Sequence, residues 1–371
     1  MSLFENDIEG LVYEINKKNA DDLEDYRELY FEIKNDANKI KELIVEKLPQ
    51  PNIENIKSTI LTVDGSNYQE NFDSISISLA TAYVYLTNGY IERYLPRIAF
   101  IPPYYSNLVN SILMKELEYR ITFNLLNDPI IKEKPDLVLF DGTLTFPDLA
   151  LGKYANRSPT IMNAYNEYIE TSNKLFSYLK DYDIPTMAVI KDSHSNKFFY
   201  SLYQSLIKKM DNYEFSLDSI KEIEKYILKW GKKGKYNSIS ELIMIKNLLE
   251  EDFIRTKFVE VSRALRSEIP IDLLKGNVYG SYVKVNLNQK PFFIEIPGFS
   301  MKNKDKMLEI FSSMGFFTIR AGYPMPLLAA HNRAKMSKIR GQSIIRLIKN
   351  VFESKTPELY GIINELFRES V

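Results

Sequence analysis

The sequence predicts a mixed α/β fold built around a ribonuclease-H-like sheet, with a helical N-terminal arm and a helical insertion. Three consecutive segments alternate apolar and polar residues as strands do, and Asn88-Gly89, a strong hairpin signal, joins the second segment to the third. Two continuous apolar runs follow as buried strands, each preceded by a helical pattern. The resulting order, strand, strand, strand, helix, strand, helix, strand, is that of a ribonuclease-H-like core.

The chain divides into four predicted regions. Apolar residues such as Leu11 and Ile15 recur at helical spacing in the arm until Pro49 stops the pattern. The insertion is charged and helical, with one break at a Gly-Lys-Lys-Gly segment. The regions are the helical N-terminal arm (1–50), the first part of the core (51–195), the helical insertion (196–270), and the core completion with basic C-terminal helices (271–371).

Each core element is predicted from a local pattern. Apolar residues that alternate with polar ones mark the strands of the meander, continuous apolar runs mark buried strands, and apolar residues three or four apart mark helices. The predicted strands span residues 58–66, 74–87, 90–95, 136–140, 186–190, 281–287, 291–297 and 316–322. The predicted helices span residues 106–127, 160–179 and 305–313, with one or two more from Pro326 onward.

The composition excludes several classes of protein. The 48 basic and 49 acidic residues give a net charge of -1, so a nucleic-acid surface must be local rather than global. The chain has no cysteine, which excludes disulfides, thiolate metal sites and cysteine nucleophiles. The acidic N-terminus does not resemble a signal peptide, and no apolar run reaches the roughly 18 residues of a membrane span. We therefore expect a cytoplasmic protein.

Two aspartates stand out because each follows an apolar strand and precedes glycine. Asp64 lies in the segment Thr-Val-Asp-Gly-Ser and Asp141 in Leu-Phe-Asp-Gly-Thr. A carboxylate at the end of a buried strand is poorly solvated unless it is paired or bound to metal, and the glycine clears space for a ligand. The two strands are neighbours at the centre of a ribonuclease-H-like sheet, which favours a shared site over two ordinary turns.

A third carboxylate lies on the intervening helix. Glu118 shares the inward face of Met114 and Ile121, whereas Glu116 aligns with Arg120 and is interpreted as half of a solvated ion pair. Three such carboxylates would form an oxygen-rich site for Mn²⁺ or Mg²⁺. Paired ions of this kind activate water for phosphodiester hydrolysis.

A fourth element lies near the C-terminus. Tyr323 and His331 flank a segment in which Pro324 and Pro326 fix the chain ahead of a helix. A lone histidine on a helix is most often a packing residue. His194, in a polar loop, is interpreted as a surface residue.

These motifs together resemble the NurA nuclease family. The resemblance runs from Ser58 to the mid-330s and implies a ribonuclease-H-like, Mn²⁺- or Mg²⁺-dependent nuclease that degrades DNA from 5′ to 3′ and cuts single strands internally. It also implies a homodimer that acts with a hexameric HerA-type ATPase in the resection of double-strand breaks. On that pattern the metal-site residues, with Tyr323 beside them, are Asp64, Glu118, Asp141 and His331.

Two assignments within this resemblance need separate argument. Lys191, just past an apolar strand, matches a family position, and an ammonium there can hold the scissile phosphate or offset charge that develops on it. The helical acid is the other assignment, because Glu116 remains an alternative to Glu118.

A basic segment follows His331. Residues 331–350 carry six lysines and arginines and no acid, and they predict a salt-sensitive DNA-binding helix face. The alternative to a nuclease is a catalytically silent relative that binds DNA or docks on a translocase. The basic residues are Arg333, Lys335, Lys338, Arg340, Arg346 and Lys349.

Overall fold

A mixed sheet of ten strands runs through the part of the chain that the structure describes. The computed structural model describes residues 31–355 apart from 74, 89–90, 145–158, 192–196, 231–240, 263–271, 275–276, 287–289 and 317–322. The strands are β1 (Val45–Lys47), β2 (Ile60–Asn71), β3 (Ser76–Leu86), β4 (Ile91–Ile101), β5 (Leu137–Asp141), β6 (Thr186–Ile190), β7 (Ile254–Thr256), β8 (Val259–Glu260), β9 (Val278–Lys284) and β10 (Phe292–Pro297).

The strand order is β1-β7-β9-β10-β6-β5-β2-β3-β4, and β8 pairs with β9. The three central strands β2, β5 and β6 are parallel, whereas the remaining pairings are antiparallel. The run β6-β5-β2-β3-β4 contains the meander and the two buried strands expected from the sequence. The predicted mixed α/β fold is therefore confirmed.

Helices cover both faces of this sheet. Alternate residues of β5 enter different cores: Phe140 packs in the core under α2, and Leu139 packs in the core on the opposite face. The helices are α1 (31–44), α2 (Ser106–Leu126), α3 (Pro159–Asp181), α4 (Lys197–Lys208), α5 (Leu217–Glu222), α6 (Glu224–Trp230), α7 (Leu242–Leu248), α8 (Lys304–Phe316), α9 (Met325–Ala334) and α10 (Lys338–Lys355). Among the described helices, none combines the length and apolar character required to cross a membrane.

The structure differs from the sequence prediction in the arm, in the insertion and at the ends of β2, of β4 (predicted 90–95, observed Ile91–Ile101) and of β9 (predicted 281–287, observed Val278–Lys284). The helix of the arm ends at Ile44, and the next residues form β1, which pairs with β7. The predicted helical insertion also contributes β7 and β8 to the sheet. Finally, β2 does not end at Asp64 but continues to Asn71, because β3 pairs with it along that whole length.

Other predictions lie outside the described residues. They concern the arm before residue 31, which includes Leu11 and Ile15, Gly89 of the hairpin signal, the Gly-Lys-Lys-Gly break, nearly all of the strand expected at 316–322, residues 356–371 and His194.

Candidate metal centre

Asp64 and Asp141 lie side by side where the parallel pairing of β2 with β5 ends. Val63 is registered with Phe140, so the two aspartates are the next residues on their strands. Both aspartates point away from the core that contains Val63 and Phe140, because successive side chains of a strand face opposite sides. The site therefore opens on the face that α9 covers.

His331 lies between the two carboxylates. Its Nδ1 lies 2.8 Å from Oδ2 of Asp64 and 3.5 Å from Oδ2 of Asp141. The helix that carries it begins after Pro324, and the buried residues Leu327 and Ala330 pack α9 toward the sheet. This packing turns His331, the residue after Ala330, toward the strand ends.

Together these three residues offer a set of metal ligands. Asp64, Asp141 and His331 each have one ligand atom within 4.8 Å of the others. Two carboxylates and one imidazole suit a divalent ion such as Mn²⁺, and carboxylates this close repel one another unless a cation lies near them. The donor set therefore fits a divalent metal.

Glu118 approaches the same strand ends from the opposite face of the sheet. It is 1% exposed, and a side chain added at Gly65 would place its Cβ only 2.5 Å from Oε1 of Glu118. Glycine at this position of β2 therefore allows the Glu118 carboxylate to approach the backbone closely, because any side chain would occupy the space beside Asp64 that the carboxylate fills. Gly142 has a different role: its φ of +95° allows a tight turn after β5 that residues with side chains rarely adopt.

Lys115 is a buried residue of the site that the sequence interpretation missed. Its Nζ donates to Oε2 of Glu118 at 2.5 Å and to the main-chain oxygen of Asp141 at 3.3 Å. The signal that was present is the spacing, since Lys115 and Glu118 are opposite charges three residues apart on one helix face. A buried ion pair of this kind links α2 to the end of β5.

Glu116 belongs to a different cluster. Its carboxylate accepts hydrogen bonds from Arg120 at 2.6 Å and from Arg97 at 3.3 Å. The ion pair with Arg120 was predicted, but the expectation that it is solvated is wrong, because Glu116 is completely buried. The charges that bind Glu116 lie on β4 and α2, whereas Glu118 lies beside the strand ends that carry Asp64 and Asp141.

The carboxylates of the site differ in their affinity for protons. Burial and the charge of Asp141 raise the pKa of Asp64 to about 6, and burial raises the pKa of Glu118 to about 7 although Lys115 acts against it. Burial acts to raise the pKa of Asp141 too, but His331 and Lys191 outweigh it and hold that pKa below its ordinary value. The hydrogen bond with Asp141 raises the pKa of His331. Protons and a divalent ion therefore compete for this site.

Lys191 and Tyr323 complete the surroundings of Asp141. Nζ of Lys191 donates to Oδ2 of Asp141 at 2.7 Å and lies 4.3 Å from the centre of the Tyr323 ring. The buried Tyr323 hydroxyl makes no hydrogen bond of ordinary geometry, yet it lies close enough to Asp141 to help lower that pKa. The Lys191 side chain is 29% exposed, so it is partly accessible from solvent.

The basic segment extends from His331 along α9 and α10. Gly341 lets α10 pack on β2, because a Cβ at this position would lie 2.3 Å from the Tyr68 ring. Among the described residues, no carboxylate pairs with the lysine and arginine side chains of this segment. The four exposed members nearest to His331 in sequence are Arg333, Lys335, Lys338 and Arg340.

Comparison with known proteins places this geometry in a family. The family model of the NurA domain matches residues 58–336. The structure is similar to that of the NurA nuclease from Sulfolobus solfataricus, with a TM-score of 0.60 and 15% identity over 92% of this chain and 97% of that chain. A second NurA structure gives a TM-score of 0.51 and 14% identity over 94% and 98% of the two chains.

A NurA structure with manganese gives a TM-score of 0.49 and 14% identity over 95% of this chain and 100% of that chain. No curated protein sequence matches. The family model covers most of the chain, including every residue of the candidate metal centre, and the resemblance inferred from the motifs is confirmed. On this basis the chain belongs to the NurA family.

Proposed function

We propose that this chain is a metal-dependent deoxyribonuclease that hydrolyses phosphodiester bonds with an activated water and forms no covalent enzyme intermediate. One observation carries the proposal: Asp64, Asp141 and His331, far apart in sequence, offer ligand atoms within 4.8 Å of one another. The membership of the chain in the NurA family supports the same activity.

The ligand set for Mn²⁺ or Mg²⁺ consists of Asp64, Asp141 and His331, with Glu118 as a further ligand. When bound, a divalent ion lowers the pKa of water and neutralises charge on the reacting phosphodiester. The protein holds the set in place from both faces of the sheet, since α9 supplies His331 and α2 supplies Glu118. Lys115 keeps the Glu118 carboxylate directed toward the strand ends.

Lys191 and Tyr323 take part as neighbours of Asp141. The ammonium of the partly exposed Lys191 side chain is suited to binding a nonbridging phosphate oxygen, where it offsets negative charge. The Tyr323 ring makes a cation–π contact with that ammonium, and its hydroxyl helps keep Asp141 ionised. We therefore assign both residues to the catalytic site.

DNA binding is assigned to the basic segment beside His331. Exposed lysines and arginines without carboxylate partners among the described residues can neutralise backbone phosphates and release counterions. The residues that we assign to this surface are Arg333, Lys335, Lys338 and Arg340.

The resemblance to the family supports a more detailed proposal. It includes 5′ to 3′ exonuclease and single-strand endonuclease activity, a homodimer and action with a HerA-type ATPase in DNA end resection. These properties follow from the resemblance and not from the distances in the site. The cytoplasmic localisation expected from the sequence pattern is part of the proposal as well.

Cleavage of labelled single-stranded and double-stranded oligonucleotides with Mn²⁺ tests the proposal. We expect Asp64→Ala and Asp141→Ala to abolish cleavage, whereas Asp136→Ala, at the opposite end of β5, leaves cleavage intact. Retention of full activity by either of the first two variants would refute the assignment. DNA binding by the wild-type protein without cleavage would identify the silent adaptor instead.

A further inference from the structure

A buried glutamate on β10 binds the segment that follows Asp141. Oε2 of Glu295 accepts hydrogen bonds from the main-chain N–H of Leu144 at 2.7 Å and from the Thr143 hydroxyl at 2.8 Å. Oε1 accepts one from Nζ of Lys197, the first residue of α4, at 2.8 Å. Lys197 also donates to the Thr143 hydroxyl at 2.9 Å, so the three side chains form a closed network.

The burial of Glu295 calls for a physical reason. It is the one acid in an otherwise apolar strand, Phe-Phe-Ile-Glu-Ile-Pro, and its side chain is completely buried. A carboxylate in such a place is strongly unfavourable unless it is paired and hydrogen-bonded. The donors on Thr143, Leu144 and Lys197 satisfy it, so its position and theirs depend on each other.

The sheet explains how a residue of β10 reaches the end of β5. Glu295 is registered with Ala188 of β6, and Ala188 is registered with Phe140 of β5. All three side chains therefore lie on the same face of neighbouring strands. Since Ala188 presents only a methyl group, the longer Glu295 side chain can extend across β6 toward Thr143.

Asp141 is consequently held from both sides along the chain. Before it, β5 pairs with β2 and β6. After it, the Gly142 N–H donates to the Val189 oxygen at 2.8 Å, and Thr143 and Leu144 are bound by Glu295. The turn at Gly142 is thus fixed at its far end by a charged group that lies outside the ligand set.

We propose that Glu295 is a positioning residue for the metal centre: it sets the orientation of Asp141 through Thr143 and Leu144 without contacting metal or substrate. This inference rests on the proposed function, because the centre it positions is the proposed one. A shift of 1 Å in such a ligand is enough to weaken binding and catalysis strongly.

The test uses Glu295→Gln in the full-length chain, with Glu214→Gln as a matched control. Glu214 also accepts hydrogen bonds from a backbone N–H, that of Phe258, and from a lysine, Lys304. It differs in place, because its ion pair with Arg255 puts it beside β7, away from the metal centre. Mn²⁺ affinity is measured from the free-ion signal in electron paramagnetic resonance, and kcat and KM are measured on a single-stranded oligonucleotide.

We expect Glu295→Gln to weaken Mn²⁺ binding and to lower kcat, each about tenfold or more, while KM for DNA stays unchanged. Glu214→Gln is expected to lower the melting temperature without changing Mn²⁺ affinity. Thr143→Val removes one hydroxyl, which donates to Glu295 and accepts from Lys197, and leaves the Leu144 N–H and Lys197 bound to Glu295. We expect this variant to weaken Mn²⁺ binding about threefold, so it decides the question if Glu295→Gln does not fold.

The possible failures are distinguishable. Wild-type Mn²⁺ affinity in whichever of Glu295→Gln and Thr143→Val folds would overturn the positioning role, as would an equal loss of affinity in the Glu214→Gln control. A wild-type protein that neither binds Mn²⁺ nor cleaves DNA would instead overturn the proposed function.

Discussion

Replacing Asp64 by asparagine is expected to stabilise the fold above pH 6 while it removes Mn²⁺ binding. Burial and the neighbouring Asp141 raise the pKa of Asp64 to about 6, so its ionised form is unfavourable in the folded protein. Asparagine keeps the shape and one oxygen acceptor but carries no charge. Sites built for ligand binding often lower stability in this way.

The magnitude follows from the difference between the folded and unfolded pKa values. A pKa raised from 3.8 to about 6 lowers the free energy of unfolding by about 3 kcal/mol at pH 8, because each tenfold change in proton affinity is worth about 1.4 kcal/mol. At pH 5 Asp64 is still mostly protonated in the folded protein but mostly ionised in the unfolded chain. The free energy of unfolding is then lowered by only about 1.6 kcal/mol. The destabilisation therefore grows as pH rises from 3.8 to 6 and is absent at lower pH.

Urea unfolding in EDTA at pH 5 and pH 8 measures this difference. The loss of the contact with His331 costs about 1 kcal/mol and is taken as common to both pH values. We therefore expect Asp64→Asn to gain about 1.4 kcal/mol more stability at pH 8 than at pH 5, relative to wild type. Added Mn²⁺ should then stabilise wild type and leave the variant unchanged.

Asp141→Asn is the matched control, because its effect has the opposite sign. The pKa of Asp141 is held below its ordinary value, so its ionised form stabilises the fold above that value and the benefit is lost only at lower pH. This variant should be destabilised at both pH 5 and pH 8, and less at pH 8, where loss of the Asp141 charge also relieves its repulsion of the ionised Asp64. Equal destabilisation of Asp64→Asn at the two pH values would refute the electrostatic reasoning.

Three further predictions test other parts of the site. Gly65→Ala places a methyl group against Glu118 and is expected to weaken Mn²⁺ binding about tenfold in calorimetric titration, and an unchanged affinity would remove Glu118 from the ligand set. Arg333→Ala and Arg340→Ala should each reduce the slope of log affinity for DNA against log salt by about 1 in fluorescence anisotropy, whereas an unchanged slope would place DNA elsewhere. Lys115→Met should lower the free energy of unfolding by about 3 to 5 kcal/mol, because it leaves the buried charge of Glu118 without its partner. The same change should cost less in a protein that already carries Glu118→Gln. An equal cost in the two backgrounds would show that the two charges do not interact.

The ribonuclease-H-like core could be predicted from sequence because its elements carry local signals. The alternation in β3, the apolar run of β5 and the long amphipathic pattern of α3 are each set by residues close together in the chain. The three-residue strands β1 and β7 have no such signal. They are strands because each finds a partner in the folded sheet, which is a tertiary effect.

The same division applies to the candidate site. Asp64 and Asp141 can be identified from sequence because an acid and a glycine interrupt apolar strands. The Asp-Gly turn signal at Asp64 predicts too early an end for β2, because β2 stays paired with β3 as far as Asn71 and this pairing has no local signal. Lys115 and Glu295 could not be assigned a role in advance. Their importance lies in burial and in partners from distant segments, and both depend on the assembled fold.

A crystal soaked in Mn²⁺ and measured at the manganese absorption edge tests the central claim most directly. We expect an anomalous peak within coordination distance of the Asp64 and Asp141 carboxylates and the His331 imidazole. A map that shows no peak there, at a Mn²⁺ concentration that supports DNA cleavage, would contradict the assignment of these three residues as the metal centre.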